Sequence, residues 1–253
     1  MSVKAVLVVL FLPVIAFAGS IENTQHLELS TKDIRSMHIT CGPGFLDVFG
    51  VEGADRIKVT AVVRISGITR NMLQDFLDKH VLLSLKKRYR KAVLQSEFKN
   101  QNLMKADAKI DLTVEVPKNL GVKIDDGTGS IFVTALGTNL EIEDGSGSIE
   151  IRMITGSLSV SDGSGKIELT DIIGNLEVKD GSGKINIDRV RGNVRVIDGS
   201  GSMTIKDIDG NLTITDGSGS IEINDVTQNV FIKEAGSGSL DIEGVKGKVT
   251  TRE

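Results

Sequence analysis

From Leu140 onward the apolar positions alternate with polar ones in short runs that recur at a fixed interval. In Gly147–Asp162, Ile149 and Ile151 alternate with Ser148, Glu150 and Arg152, and Leu158 and Val160 alternate with Ser157, Ser159 and Ser161. Period two means strands with one buried face. Ile154 falls out of phase, which marks a corner between two strands. The motif D-G-[ST]-G-x-[IM] begins at Asp126, Asp144, Asp162, Asp180, Asp198 and Asp216, each 18 residues after the last. A seventh copy, beginning at Ala235, lacks the aspartate. A second marker, often Gly-Asn-[Leu/Val], lies between successive copies.

Aligned at this period, the apolar positions form five columns. Two hold Ile131, Ile149, Ile167, Ile185, Met203, Ile221 and Leu240, then Val133, Ile151, Leu169, Ile187, Ile205, Ile223 and Ile242. Leu136, Ile154, Ile172, Val190, Ile208, Val226 and Val245 form the corner column. The opposite wall starts at Leu140 and Ile142, and the first of its columns ends at Val249. Five aliphatic side chains cannot offset the ordering of 18 backbone units, so one repeat cannot fold alone and neighbours must stack. The expectation is an all-β chain: a right-handed, two-sided parallel β-solenoid of 18-residue rungs, with the handedness taken from the crossover rule.

Residues 19–115 lack the period. Met37–Val48 is a degenerate echo of a rung, Ile57–Ile65 reads as a strand, and Lys109–Val116 reads as a strand stopped by Pro117. Thr69–His80 places Met72, Leu73, Phe76 and Leu77 at helical spacing, and Val81–Phe98 reads as a hairpin. This segment is expected to form wider first rungs and a cap containing one short helix. The three regions are therefore 1–18, 19–115 and 116–253.

Residues 1–18 read as a cleaved export signal: Lys4, the apolar run Ala5–Phe17, then Ala16-Phe17-Ala18 as an A-x-A site. Later segments carry no apolar run long enough for a transmembrane helix. The expected location is periplasmic, or at the cell surface or outside the cell.

Composition narrows the function classes. Net charge is −4 and aromatics are 4% with no Trp, which argues against nucleic acid and against an aromatic-lined pocket. A single cysteine, Cys41, excludes an intrachain disulfide and a multi-cysteine zinc site. His26, His38 and His80 all lie outside the repeat, so no serine there has a histidine nearby in sequence. No catalytic residues and no cofactor are expected.

The aspartate column Asp126, Asp144, Asp162, Asp180, Asp198 and Asp216 is read as a set of turn-capping residues. Calcium between rungs is the lesser reading, because the glycine-aspartate spacing departs from the calcium β-roll repeat. Asn139, Asn175, Asn193, Asn211 and Asn229 are read as a stacked amide ladder. Lys86–Lys91 is read as a solvated hairpin face.

The strand Ile110–Pro117 followed by DGSGxI and GNLxV units resembles the bacterial putative-adhesin β-strand repeat family, a domain of unknown function. The resemblance covers roughly Ser36–Thr251 and implies an adhesin-like envelope protein. Together these readings predict an exported structural or adhesion-like binding module of the cell envelope, meeting envelope glycans or proteins. It is expected to be mostly monomeric, with weak end-to-end association through its last rung. An enzyme or enzyme subunit acting on envelope polysaccharide, and a calcium-stabilised rod, are the alternatives.

Overall fold

The computed structural model describes residues 16–17, 20–99 and 108–252. The expected export segment lies outside the described residues except for Ala16 and Phe17. The chain divides into two compact units, residues 1–130 and 131–253.

The second unit is the repeat. One sheet has the order β10 (Gly129–Thr134, whose first two residues precede the unit), β12 (Gly147–Thr155), β14 (Gly165–Ile173), β16 (Gly183–Arg191), β18 (Gly201–Asp209), β20 (Gly219–Val226) and β22 (Leu240–Val245). The other has β11 (Leu140–Asp144), β13 (Leu158–Asp162), β15 (Leu176–Asp180), β17 (Val194–Asp198), β19 (Leu212–Asp216), β21 (Val230–Glu234) and β23 (Val249–Thr251). Pairing is parallel and in register at 18 residues, as in Ile149↔Ile167, Ile167↔Ile185 and Leu158↔Leu176. The predicted two-sided solenoid is therefore present, and its inward columns are buried from Ile131 to Ile232. In the last rung they are not: Leu240 is 40% and Val249 41% exposed, because no further rung covers them.

The corner at Ile154 has a cause that composition hides. Ala135, Met153, Asp171, Arg189, Asp207 and Asp225 all have φ between 53° and 61°. One left-handed residue per rung lets two consecutive side chains, such as Arg152 and Met153, face outward before Ile154 turns in. None of these six is glycine, so each carries a conformational cost.

At the opposite corner the two glycines of D-G-S-G act differently. Gly165 has φ +143°, and a Cβ there would sit 1.7 Å from the Gly147 carbonyl oxygen. Gly163 needs no left-handed φ, yet its Cβ would lie 2.4 Å from the Gly145 oxygen. The first glycine is thus demanded by close stacking alone. Turn amides bond from rung to rung, for example Gly163 N–H to the Asp144 carbonyl at 3.1 Å.

The first unit departs from the expectation of wider solenoid rungs. β2 (Ser20–Ser30), β5 (Arg56–Ser66) and β8 (Ala108–Pro117) pair antiparallel, with β1 (Ala16–Phe17) antiparallel to β2 and β4 (Phe45–Val51) parallel to β8. The second sheet runs β9 (Gly121–Asp126), β3 (Ser36–Cys41), β7 (Lys91–Phe98), β6 (Val81–Arg88). There β3 is parallel to both neighbours, and β6–β7 is the expected antiparallel hairpin. Long β2 and β5 alternate over 11 residues each, which allows full hairpin-like pairing that an 18-residue rung has no room for. A 3-10 turn (Arg70–Met72) leads into α1 (Leu73–His80). Leu73, Phe76 and Leu77 are buried as the spacing predicts, but Met72 lies in the turn ahead of α1 and is exposed.

Candidate functional site

Within each rung of the second unit the wall strand alternates inward and outward, as in Leu140, Ile142 and Asp144 inside, Glu141 and Glu143 outside. The aspartate is therefore an inward residue, not only a turn residue. Asp144, Asp162, Asp180, Asp198 and Asp216 are all buried, from 9% exposure at Asp144 to 1% at Asp216. They are partners in register from strand to strand. The capping reading holds for one oxygen: Oδ1 of Asp162, Asp180 and Asp198 accepts the N–H of Ser164, Ser182 and Ser200 at 3.2–3.3 Å. The other oxygen, Oδ2, of these three is buried without a hydrogen-bond partner.

Burial pushes the carboxyls of Asp162, Asp198 and Asp216 above the usual carboxylate range. Burial, with the neighbouring charges of Asp162 and Asp198, takes Asp180 up to about 6. In the first unit the inward position reached by Asp126 is aligned with Cys41 and, through β3, with Ser96. Burial raises Asp126 to about 6, opposed by the Cys41 thiol and by the amides of Gly127 and Thr128. Among the described residues no three His, Cys, Asp or Glu side chains are grouped to hold a metal.

The asparagine column is the amide ladder expected. Asn175 Oδ1 accepts the Asn193 N–H at 3.1 Å, and Asn211 Oδ1 accepts the Asn229 N–H at 3.2 Å. Asn139 Oδ1 accepts the Ser157 N–H at 2.9 Å, where serine breaks the run. These side chains are committed to backbone and to each other.

The histidines do not converge. His38 meets Asp125 at 2.6 Å on the outer face of β3 and β9, His26 meets Thr60 Oγ1, and the His80 ring lies against Phe76. The basic run occupies the tip of the β6–β7 hairpin. Tyr89 there is fully exposed, and Lys87 reaches back to the Lys32 carbonyl.

Two further features escaped the sequence reading. A groove of about 370 Å³ follows the left-handed corner and is lined by Asp171, Ile173, Arg189, Arg191, Asp207 and Asp209. The Arg189 guanidinium pairs with Asp171, which also lines the groove, and with Asp188, its chain neighbour. A cleft of about 540 Å³ in the first unit is lined by Cys41, Pro43, Leu82, Glu97, Asp125 and Asp126, among others. The 18-residue spacing of Asp171, Arg189 and Asp207 could have revealed the groove, had the column been read as left-handed.

The outward residues of the two sheets of the repeat stack into polar columns. Lys166↔Lys184, Glu168↔Asn186 and Thr170↔Asp188 are in register on one sheet, and Ser159↔Glu177 and Ser161↔Lys179 on the other. Ion pairs such as Lys166–Glu168 at 2.7 Å link positions along a strand.

None of the curated proteins matches the chain. It is similar to the solved structure of a "putative adhesin" from Bacteroides fragilis NCTC 9343, at 14% identity and TM-score 0.46, with 90% of this chain and 97% of that one covered. It is also similar to a "putative lipid binding protein" from Parabacteroides distasonis ATCC 8503, at 15% identity and TM-score 0.43, with 90% and 96% covered. A third, a "putative cell adhesion protein" from Clostridium sporogenes ATCC 15579, matches at 12% identity and TM-score 0.38, with 89% and 100% covered. The family model for Toastrack DUF4097 matches residues 53–251, and the chain belongs to that family.

Proposed function

We propose that the protein is an exported, non-catalytic binding module of the cell envelope that holds repeating polymers, envelope glycans first among them, against the outer faces of its repeat. One observation carries this reading: the outward side chains stand in polar columns at strand spacing, about 4.8 Å, in register over successive rungs, as in Ser148, Lys166, Lys184 and Ser202. A polymer lying along the rungs meets a polar or charged group at each step. Single contacts of this exposed kind are weak, and their number supplies the strength. Export rests on the signal-like reading of residues 1–18, and among the described residues no helix is long and apolar enough to cross a membrane.

The test is co-sedimentation of the chain from Gly19 onward with purified peptidoglycan and with an anionic envelope polysaccharide. Binding that weakens several-fold in a Lys166→Ser/Lys184→Ser variant supports the reading. Absence of binding to both polymers would overturn it, and release of reducing ends would replace the binder with an enzyme.

A further inference from the structure

The buried aspartates of the repeat have a geometry that a capping role does not require. Capping uses one carboxyl oxygen, and a serine or asparagine side chain would serve as well. Here five aspartates stand one above another on the inside of the wall, at the strand spacing of about 4.8 Å. In the three central rungs the second oxygen is buried among aliphatic side chains, with no protein donor. Five neighbouring buried negative charges would be strongly unfavourable.

Among the described residues, the side chains around Asp162, Asp180 and Asp198 are apolar. The opposing strands present Ile167, Leu169, Ile185 and Ile187, all buried aliphatics. Along the same strands the inward neighbours are Leu176, Val178, Val194 and Val196. The charged side chains nearby in sequence lie on the outside: Lys179 pairs with Glu177, Lys166 with Glu168, and Arg195 and Lys184 are exposed. The groups facing each carboxylate are thus its aspartate neighbours and the turn amides.

We propose that Asp162, Asp180 and Asp198, with Asp216 below them, form a proton-sharing ladder, in which a proton retained on one carboxyl donates to the orphan oxygen of the next rung. The repeat is then an acid-tightened structure. A proton between two stacked carboxyls satisfies one orphan oxygen and removes one buried charge at once. The aspartate column ends at Asp216: the next copy of the motif carries Ala235 in its place. The upward displacement of these carboxyls by burial agrees with the geometry.

The sign follows from linkage. The folded chain holds protons that the unfolded chain has already released, so the ladder's contribution to stability is full below about pH 4 and is lost as pH rises through about 6. For each extra proton held, the folded-to-unfolded ratio falls about tenfold per pH unit across that window. The experiment is urea unfolding of the full chain at steps between about pH 5 and 8, with Asp180→Asn alongside. Expected is a midpoint that falls with rising pH in the parent and falls less in the variant, whose amide donates to a neighbouring carboxylate at every pH. An infrared band of protonated carboxyl in the native protein near pH 6, lost on unfolding and weaker in the variant, is expected too. A midpoint flat or rising over this window overturns the ladder, as does an Asp180→Asn variant with an unchanged pH slope. Should that variant not fold, the parent's native carboxyl band decides, and its absence overturns the proposal.

Discussion

Asn193 Oδ1 accepts two hydrogen bonds from the residue one rung on, the Asn211 backbone N–H at 3.1 Å and its side-chain amide at 3.0 Å. The first bond fixes the turn, and the second holds the next side chain for the same task. Asn193→Ala removes the acceptor for both donors while leaving Asn193's own N–H bonded to Asn175. The corner is exposed, so water recovers part of the loss. A destabilisation of about 1 kcal/mol is expected by urea unfolding, with Asn193→Asp falling between the two because it keeps the acceptor. An alanine variant as stable as the parent would sink the ladder as a stabilising element.

The two glycines of each D-G-S-G turn should separate by mutation. A Cβ at Gly183 meets the Gly165 oxygen at 1.8 Å and also forces a side chain into φ +145°. At Gly181 the corresponding distance is 2.4 Å, with no left-handed backbone to maintain. Gly183→Ala is therefore expected to be the worse of the two, costing several kcal/mol or preventing folding. Ser182→Ala, between them, should be near neutral, within about 0.5 kcal/mol. Reversal of the glycine order in thermal melts would contradict both causes, since the closer approach and the left-handed backbone fall on the same glycine.

Much of this architecture is legible in the chain because each rung must satisfy the same demands. Ile149, Ile167 and Ile185 share one environment, so one residue type recurs and the period shows. The left-handed corner stays hidden because its φ > 0 column mixes Ala135, Met153 and Arg189 with three aspartates, Asp171, Asp207 and Asp225, and no glycine marks it. Asp144 could be placed indoors from its alternation with Leu140 and Ile142, yet the adjacent glycine signals a turn and draws the eye to capping alone. The antiparallel β2–β5–β8 sheet has no repeat to betray it: its pairing depends on partners 26 to 57 residues apart that no local pattern joins.

Met153 offers a way to raise stability. Its side chain is 55% exposed and its φ is +56°, so the backbone cost is set against little burial. Met153→Gly should relieve about 1–2 kcal/mol of left-handed strain and return part of it through the greater freedom of glycine in the unfolded chain. A net gain of roughly 0.5–1 kcal/mol is expected in denaturant midpoints. Arg152→Gly, one residue earlier at an extended position, is the control and should destabilise. Equal effects at both positions would mean that the corner is not strained.

Arg64 holds the most exacting polar contact of the first unit. Asp111 lies on β8, 3% exposed, with Oδ1 accepting the Phe45 N–H at 3.0 Å and Oδ2 paired with Arg64 Nη1. Arg64 also reaches Glu22 on β2 through Nε at 2.7 Å, so one guanidinium spans the outer β2–β5–β8 surface. Removing the cation leaves Asp111 buried, charged and half-bonded. Loss of one partner of such a pair costs about 3–5 kcal/mol, far more than an exposed pair such as Lys79–Asp75 would. Arg64→Met should therefore destabilise strongly, and Lys79→Met hardly at all. Adding Asp111→Asn to Arg64→Met removes the stranded charge while keeping the acceptor for Phe45, and should recover a large part of the loss. If the double variant were no more stable than Arg64→Met alone, the penalty would lie in lost arginine packing and not in the orphaned carboxylate.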